Sequence, residues 1–557
     1  MSVSNQAEEK TLGEFLLDCL KQEEVTDIFG VPGDYNFSLL DTIERYEGVR
    51  FINGVNELNA GYAADGYARL RGMGALITTF GVGEMSACNA IAGAYSENVP
   101  VIHIVGSPKL VEQNEKKLLH HTLMDGDYDV FRKTYENITA YTAVLTPENA
   151  ELEIPNALYV AKQKKKPVYL VVAIDLVTKP IVRHNRNLPK PSETNEKSLN
   201  AAFSHAQQIL NKAESTVILV DTKAMRYRLQ AQIEQLAEKM NVPVSSLFQG
   251  KGGFDESHPL YIGMYSGAFG NDKVRNIVED ADCVITVGLV WSDVNSSKST
   301  ANLNTANMIN IQPHSVKIGE ALYPDVLAED ILNEIIDCGY RQDNSQYEIE
   351  FPYETMIGSP DEPLTAASYY PRFQNMLAEE DIIVVETGSF SYGMSQVRLP
   401  KGADYIVQGG WQSIGYSVPA TFGACMAAGA RRALLFTGDG SLQLTVQEIS
   451  SMLKNGCTPI IFILNNQGFT IEKYLNVQTE DQKYNQISNW DYTKLTEVFA
   501  DDAYTASVQT NNELDLAIEQ AEKLNGTKLC IIELRVKDPM DAPDYLQKMR
   551  NYLEENK

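Results

Sequence analysis

The sequence predicts an α/β protein of three domains, each built on a mostly parallel sheet, and three observations carry that prediction. The apolar segments are short continuous runs, such as "STVILVD" (215–221), "DCVITVG" (282–288) and "PIIFILNN" (459–466). Runs of this kind suit parallel strands covered on both faces by helices. A strand, a G-x-G turn, a helix and a second strand recur in order at 75–107 and again at 433–466. Two polar, proline-bearing stretches, 183–198 and 341–363, read as linkers.

The linkers divide the chain into expected domains 1–183, 199–340 and 364–557. In the first, "ALITTFGVGEMSACNAIAGAYSENVPVIHIVGS" turns at Gly81-Val82-Gly83, and Pro100 precedes its second apolar run. The middle domain has the same rhythm: "STVILVD", a helical pattern from about Arg226 to Met240, "VPVSSLF", "DCVITVG" and "NMINIQP". In the last, "ALLFTGDGSLQLTVQEISSMLKNGCTPIIFILNN" turns at Gly438-Asp439-Gly440, with Pro459 before the second run. Ligands of such sheets bind at the carboxyl ends of the strands, where both glycine turns are expected to lie.

Composition narrows the function. The chain has 557 residues, 44% apolar and 22% charged, which is ordinary for a globular protein with room for several cores. Its formal charge of −27 makes nucleic acid a poor partner, though a cleft for an anionic substrate carries its own local field. No run approaches the ~20 apolar residues of a membrane span, and no basic-flanked apolar leader is visible. Seven scattered cysteines form no C-x-x-C pair, so neither a zinc site nor a disulfide framework is expected, and the cytoplasm is the natural compartment.

Glycines at a strand-to-helix turn let the backbone approach a phosphate, and free N–H groups of the helix start receive it. An acid there repels a phosphate unless a divalent cation stands between them. Magnesium takes oxygen ligands and bridges carboxylate to phosphate. Asp439 therefore predicts a second oxygen ligand one strand–helix–strand unit away. Asn465-Asn466 ends the next strand, with Asn466 27 positions after Asp439, and the Gly468 carbonyl follows in "NNQGFTIE". Asp439, Asn466 and Gly468 are the expected metal ligands, with the Ser441 hydroxyl beside them.

"GDGSLQLTVQEISSMLKNGCTPIIFILNN" closely resembles the thiamine diphosphate motif of the thiamine-dependent enzymes. "VPGDYN" (31–36), "NELNAGYAADGYAR" (56–69), "TTFGVGE" (78–84), "LLHHTLMDGD" (118–127), "ETGS" (386–389) and "GFTIEK" (468–473) resemble the 2-oxo acid decarboxylases. That family includes pyruvate, indolepyruvate and branched-chain 2-oxo acid decarboxylases. The resemblance spans nearly the whole chain, though the middle domain matches mainly in pattern.

The resemblance implies the thiamine diphosphate-binding fold, with thiamine diphosphate and Mg2+ as cofactors. It implies release of an aldehyde and CO2 from a small 2-oxo acid. Glu57 would bond the pyrimidine ring, and Ile414, in "GGWQSIGYS", would wedge the cofactor into its bent form. Pro32, Gly388, Ser389, Gln412, Ser413, Gly440, Ser441, Thr470 and Ile471 would complete the cofactor site. Gln412 stands where the family usually has glycine, and its role there is expected of its backbone carbonyl. Asp34, His120, His121 and Glu472 would be the catalytic polar set, since histidines relay protons near neutral pH. Glu472, beside the substrate carboxylate, is expected to be held protonated. Ser391, Tyr392, Ile471 and Leu475 would surround the substrate's side chain. In the family, the first domain of one subunit and the third of another sandwich the cofactor. A homodimer is then the minimum and a homotetramer the fuller expectation.

The chain departs from the family after Lys473, where "YLNVQTEDQKYNQ" lacks the usual glycine-proline. Two other readings compete. A carboligase of the acetolactate synthase kind generally lacks the paired histidines and the Glu472-type acid. An inactive member serving as a binding or regulatory protein would be expected to have lost Glu57 or Asp439. A nicotinamide enzyme is disfavoured because "GVGEMS" lacks the third glycine of G-x-G-x-x-G, and no P-loop is present.

Overall fold

The computed structural model describes residues 10–184, 190–343, 347–478, 482–499 and 502–556. Parts of both expected linkers, and residues 479–481 of the segment after Lys473, lie outside the described residues.

Three sheets follow one another along the chain. The first holds β1 (Asp27–Gly30), β2 (Arg50–Asn53), β3 (Gly74–Thr79), β4 (Val101–Ser107), β5 (Thr142–Leu145) and β6 (Val168–Ala173). Their order is β2-β1-β3-β4-β6-β5, and every pair is parallel. The second holds β7 (Thr216–Val220), β8 (Val244–Ser246), β9 (Tyr261–Met264), β10 (Cys283–Val287), β11 (Met308–Gln312), β12 (Ser315–Ile318) and β13 (Ala321–Pro324). The third holds β14 (Ile382–Val385), β15 (Asp404–Val407), β16 (Ala433–Gly438), β17 (Ile460–Asn465), β18 (Tyr504–Val508) and β19 (Cys530–Arg535). Its order, β15-β14-β16-β17-β19-β18, repeats that of the first sheet position for position and is again all parallel. The likeness of the two outer segments in sequence is thus a likeness of topology.

The middle sheet is mostly parallel, as expected, with two details the sequence did not show. Strands β12 and β13 continue it antiparallel beyond β11, so the sheet is mixed. The helix expected from about Arg226 to Met240 starts at Gln230 and ends at Met240, after a separate short helix Thr222–Arg226. Arg228, at φ +57°, adopts the left-handed conformation that breaks a helix.

The described chain forms two compact units. One comprises Met1–Pro191 with Val418–Gly429 and Thr445–Cys457; the other comprises Ser192–Ser417, Ala430–Leu444 and Thr458–Lys557. The first unit explains why "NELNAGYAADGYAR" is so rich in small residues. Its helix Glu57–Arg71 packs closely on the helix Ser417–Ala428. A Cβ on Gly66 would stand 2.1 Å from the Ala420 carbonyl oxygen, and one on Gly423 1.8 Å from that of Ala63. Glycine is needed for two backbones to come so near. The helix that carries Glu57 at its first position is anchored by that contact and by the Asn56 cap, whose side chain accepts the Asn59 N–H at 2.8 Å.

Candidate active site

In the second unit, β16 and β17 run side by side with Gly438 opposite Leu464. That register brings Asp439 and Asn466 together at the carboxyl edge of the sheet, as their spacing predicts. Thr387, Gly388, Ser389, Ile414, Gly438 to Ser441, Asn466 and Gly468 to Glu472 line one cleft. Asp439 is buried, and burial pushes its carboxyl up to about 6 against the pull of backbone donors. Its Oδ1 accepts the Gly440 N–H at 2.8 Å and its Oδ2 the Gln467 N–H at 2.7 Å. Among the described residues nothing bonds the buried Oδ1 of Asn466. The Gly468 carbonyl accepts the Thr470 N–H at 3.1 Å, which leaves one lone pair free.

A buried acid, an unpaired amide oxygen and a half-used carbonyl fit a hard divalent cation. The glycines beside them fit a phosphate, since a Cβ at Gly388 or Gly438 would meet no atom within 4 Å. Gln467, at φ +62°, presents its N–H to Asp439 from a left-handed turn. Behind it, the Gly468 Cα leaves no room for a side chain: a Cβ there would stand 2.4 Å from the Asn485 carbonyl oxygen.

Ile414 reaches the cleft from a loop tied to Glu386. This buried acid accepts the N–H groups of Gly415 and Ser417 at 3.2 Å and the Ser417 hydroxyl at 2.7 Å. Burial pushes Glu386 up to about 7. Ser413 donates its N–H to Gln408 at 2.7 Å. Gln412 has φ +55°, which accounts for the glycine usual in the family, and its side chain donates back to the Gly409 carbonyl at 3.0 Å. The change to glutamine therefore costs backbone strain, beyond the added bulk expected of it.

Not every expected side chain faces the cleft. Ile471 does, and Thr470 lines it while its hydroxyl donates to Pro539 at 2.8 Å. The Ser391 hydroxyl folds back onto the Gly388 carbonyl at 2.8 Å. Tyr392, Ile471 and Leu475 pack against a cluster that includes Phe248, Tyr545 and Met549. Glu472 lines the cleft and is exposed within the unit.

In the first unit, Asp34 opens a short 3-10 turn after β1, just past the exposed Pro32. Its carboxylate stands 2.6 Å from His120 Nε2 and 3.6 Å from His121 Nε2. The paired histidines are thus gathered on one acid. The Tyr35 ring stacks on His120 at 5.1 Å, and burial first, then Asp34, pushes its hydroxyl up to about 12. Glu57 is half-buried at the start of its helix. Its Oε1 lies 3.3 Å from where a Cβ on Gly83 would be, so glycine there gives the carboxylate its space.

Tyr35, Glu386 and Gln467 did not stand out in the sequence. Tyr35 lies inside "VPGDYN" and Glu386 opens "ETGS", so both motifs carried a signal. A left-handed Gln467 has none.

Three family models match in sequence: the N-terminal TPP binding domain of thiamine pyrophosphate enzymes over residues 10–129, their central domain over 203–331 and their C-terminal TPP binding domain over 386–534. The chain belongs to the thiamine pyrophosphate enzymes. Its relatives include a pyruvate decarboxylase of Hanseniaspora uvarum, 39% identical over 98% of both chains. A pyruvate decarboxylase of Aspergillus fumigatus is 38% identical over 96% of this chain and 95% of its own. Pyruvate decarboxylase isozyme 2 of Saccharomyces cerevisiae is 37% identical over 97% and 98%.

Proposed function

We propose that this chain converts pyruvate and other short 2-oxo acids to an aldehyde and CO2, with thiamine diphosphate and Mg2+ as cofactors. The observation that carries the reading is the gathering of His120 and His121 on Asp34, in a chain with full-length likeness to pyruvate decarboxylases. A carboligase of the acetolactate synthase kind generally lacks the paired histidines of that cluster.

Thiamine diphosphate supplies the nucleophilic carbon and the electron sink when bound. Asp439, the Asn466 amide oxygen and the Gly468 carbonyl hold the magnesium, and Gly388, Ser389, Gly440 and Ser441 the diphosphate. Gln412, Ser413, Thr470 and Ile471 would line the rest of that site, and Ile414 would wedge against the bound cofactor. Glu57 holds a proton at the pyrimidine edge, with Pro32 beside it. Asp34, His120, His121 and Glu472 hand protons to the reacting carbon and away from the departing aldehyde. Ser391, Tyr392, Ile471 and Leu475 bound the substrate's side chain. Ile471 favours short chains, and one methylene in such a wall discriminates by roughly 10–200-fold.

Because the family this chain resembles sandwiches its cofactor between the first domain of one subunit and the third of another, we assign the working form to a homodimer or a pair of dimers. The deciding experiment measures aldehyde from pyruvate, 2-oxoisovalerate and phenylpyruvate, with and without thiamine diphosphate and Mg2+. Cofactor-dependent acetaldehyde is expected. Acetolactate as the main product, or no product from any acid, overturns the reading.

A further inference from the structure

Behind the Gly81-Val82-Gly83 turn lies a buried polar cluster that the proposed function leaves unused. Glu84, in the first turn of the helix Val82–Ser96, is fully buried. Its Oε1 accepts the Gly81 N–H at 2.7 Å, and its Oε2 accepts the hydroxyl of Tyr169. The Tyr135 hydroxyl donates to the Glu84 carbonyl. The two tyrosine rings stack at 4.5 Å, and His103 packs on both. His103 Nε2 lies 2.9 Å from the Thr78 hydroxyl, at the end of β3.

The turn that Glu84 holds separates two proposed catalytic residues. A Cβ on Gly81 would stand 1.8 Å from the His121 carbonyl oxygen, and one on Gly83 3.3 Å from the Glu57 carboxylate. Gly81, at φ +65°, takes a conformation open to glycine, but His121, at φ +62°, is a left-handed non-glycine residue, so the backbone that meets Gly81 does not settle into place by local preference alone. Something must hold it. The Glu84 carboxylate is the group that bonds Gly81 from below, and Tyr169 fixes that carboxylate from the neighbouring β6.

We propose that Glu84 is a positioning residue, which clamps the Gly81–Gly83 backbone so that His121 and Glu57 stand at their working places. The inference rests on the roles proposed for those two residues. It requires an oxygen acceptor toward Gly81 and a partner toward Tyr169, which a glutamine also provides and an alanine does not. Loss of both would leave a buried N–H and a buried hydroxyl unpaired, and the turn would shift to satisfy them.

The test compares Glu84→Ala, Glu84→Gln and Tyr169→Phe by two readouts. In the cofactor-free protein, NMR follows the His121 ring resonance, assigned through His121→Ala. In the holoenzyme, kcat and KM for pyruvate are measured. Glu84→Ala should move the His121 resonance by more than a linewidth. It should lower kcat by about tenfold to a hundredfold, the scale of a misplacement near 1 Å, with KM little changed. Glu84→Gln should keep most of the wild-type rate and resonance position, and Tyr169→Phe should fall between the two. Should Glu84→Ala fail to fold, Tyr169→Phe, which removes one oxygen, carries the same comparison. An unchanged His121 resonance, or a wild-type kcat, in a folded Glu84→Ala or Tyr169→Phe overturns the inference. A wild type that yields no aldehyde overturns the proposed function instead, and the cofactor-free resonance still decides whether Glu84 sets the turn.

Discussion

The third strand of the first sheet and the third strand of the last end alike, in a glycine–x–glycine turn that opens a helix. After β3 the middle residue is Val82; after β16 it is Asp439. Val82 is 54% exposed and Asp439 2%. The backbone position is shared, and the side chain decides what each turn is for. The apolar Val82 leaves the first turn as pure backbone, a seat against which His121 and Glu57 are placed. Asp439 makes the second a dry acidic cradle, with an unpaired Asn466 oxygen across from it. The groups around the two turns differ in the same sense. Asp34 and His120 are 40% and 61% exposed, whereas the proposed metal set is buried. One scaffold thus builds a buried, oxygen-lined cradle at one turn and stands beside an exposed acid–histidine cluster at the other.

The sharpest break between the two turns is Asp439→Ala. Removing the carboxylate should weaken Mg2+-dependent retention of thiamine diphosphate by about a thousandfold, about 4 kcal/mol. Titration calorimetry with and without Mg2+ measures it. Equal retention by wild type and variant would make the two turns equivalent. The next largest effect belongs to the other half. Glu57→Gln should leave the metal in place but slow hydrogen exchange at the reactive ring carbon by about a hundredfold or more, as read by NMR on bound cofactor. If Glu57→Gln instead abolished metal binding, the division of labour would be wrong.

Two smaller effects test how the second half is built. Burial raises the Glu386 carboxyl from 4.5 to about 7. A carboxyl raised in the folded state favours folding below its unfolded pKa, and that stability is lost as pH rises through the folded value. From about pH 4.5 to about pH 7 Glu386 should therefore cost the cofactor-free protein about 3 kcal/mol. Denaturant midpoints against pH should fall less steeply for Glu386→Gln than for wild type. Glu84, raised to about 7 by its own burial, acts in the same direction and remains in both proteins. Parallel curves would remove Glu386 as a source of strain. Finally, Gln412→Gly should relieve a left-handed residue and stabilise the protein by a few tenths to about 1 kcal/mol. The gain is limited by the freedom glycine adds to the unfolded chain and by the lost bond to Gly409. A lower melting temperature would show that this bond outweighs the strain.

Sequence alone determined what is local or strictly periodic. Continuous apolar runs placed the core strands of all three sheets. Asp439 and Asn466 were legible as partners because one strand–helix–strand unit returns the chain to the same sheet edge, whatever the helix contains. The motif residues Asp34, His120, His121 and Glu57 were legible through family resemblance, since their spacing carries no geometry of its own. The antiparallel edge of β12 and β13 and the break at Arg228 escaped, because short strands and left-handed turns leave weak patterns. Only the tertiary structure decided what supports the site. Tyr169 meets Glu84 across 85 positions of chain, and Tyr35 stacks on His120 across the same distance. Gly66 earns its place through Ala420, a residue of a distant segment. Such pairs come together only when the sheets have set the ends of their strands side by side, and burial then turns Glu84, Glu386 and Asp439 from ordinary acids into groups that titrate near neutrality.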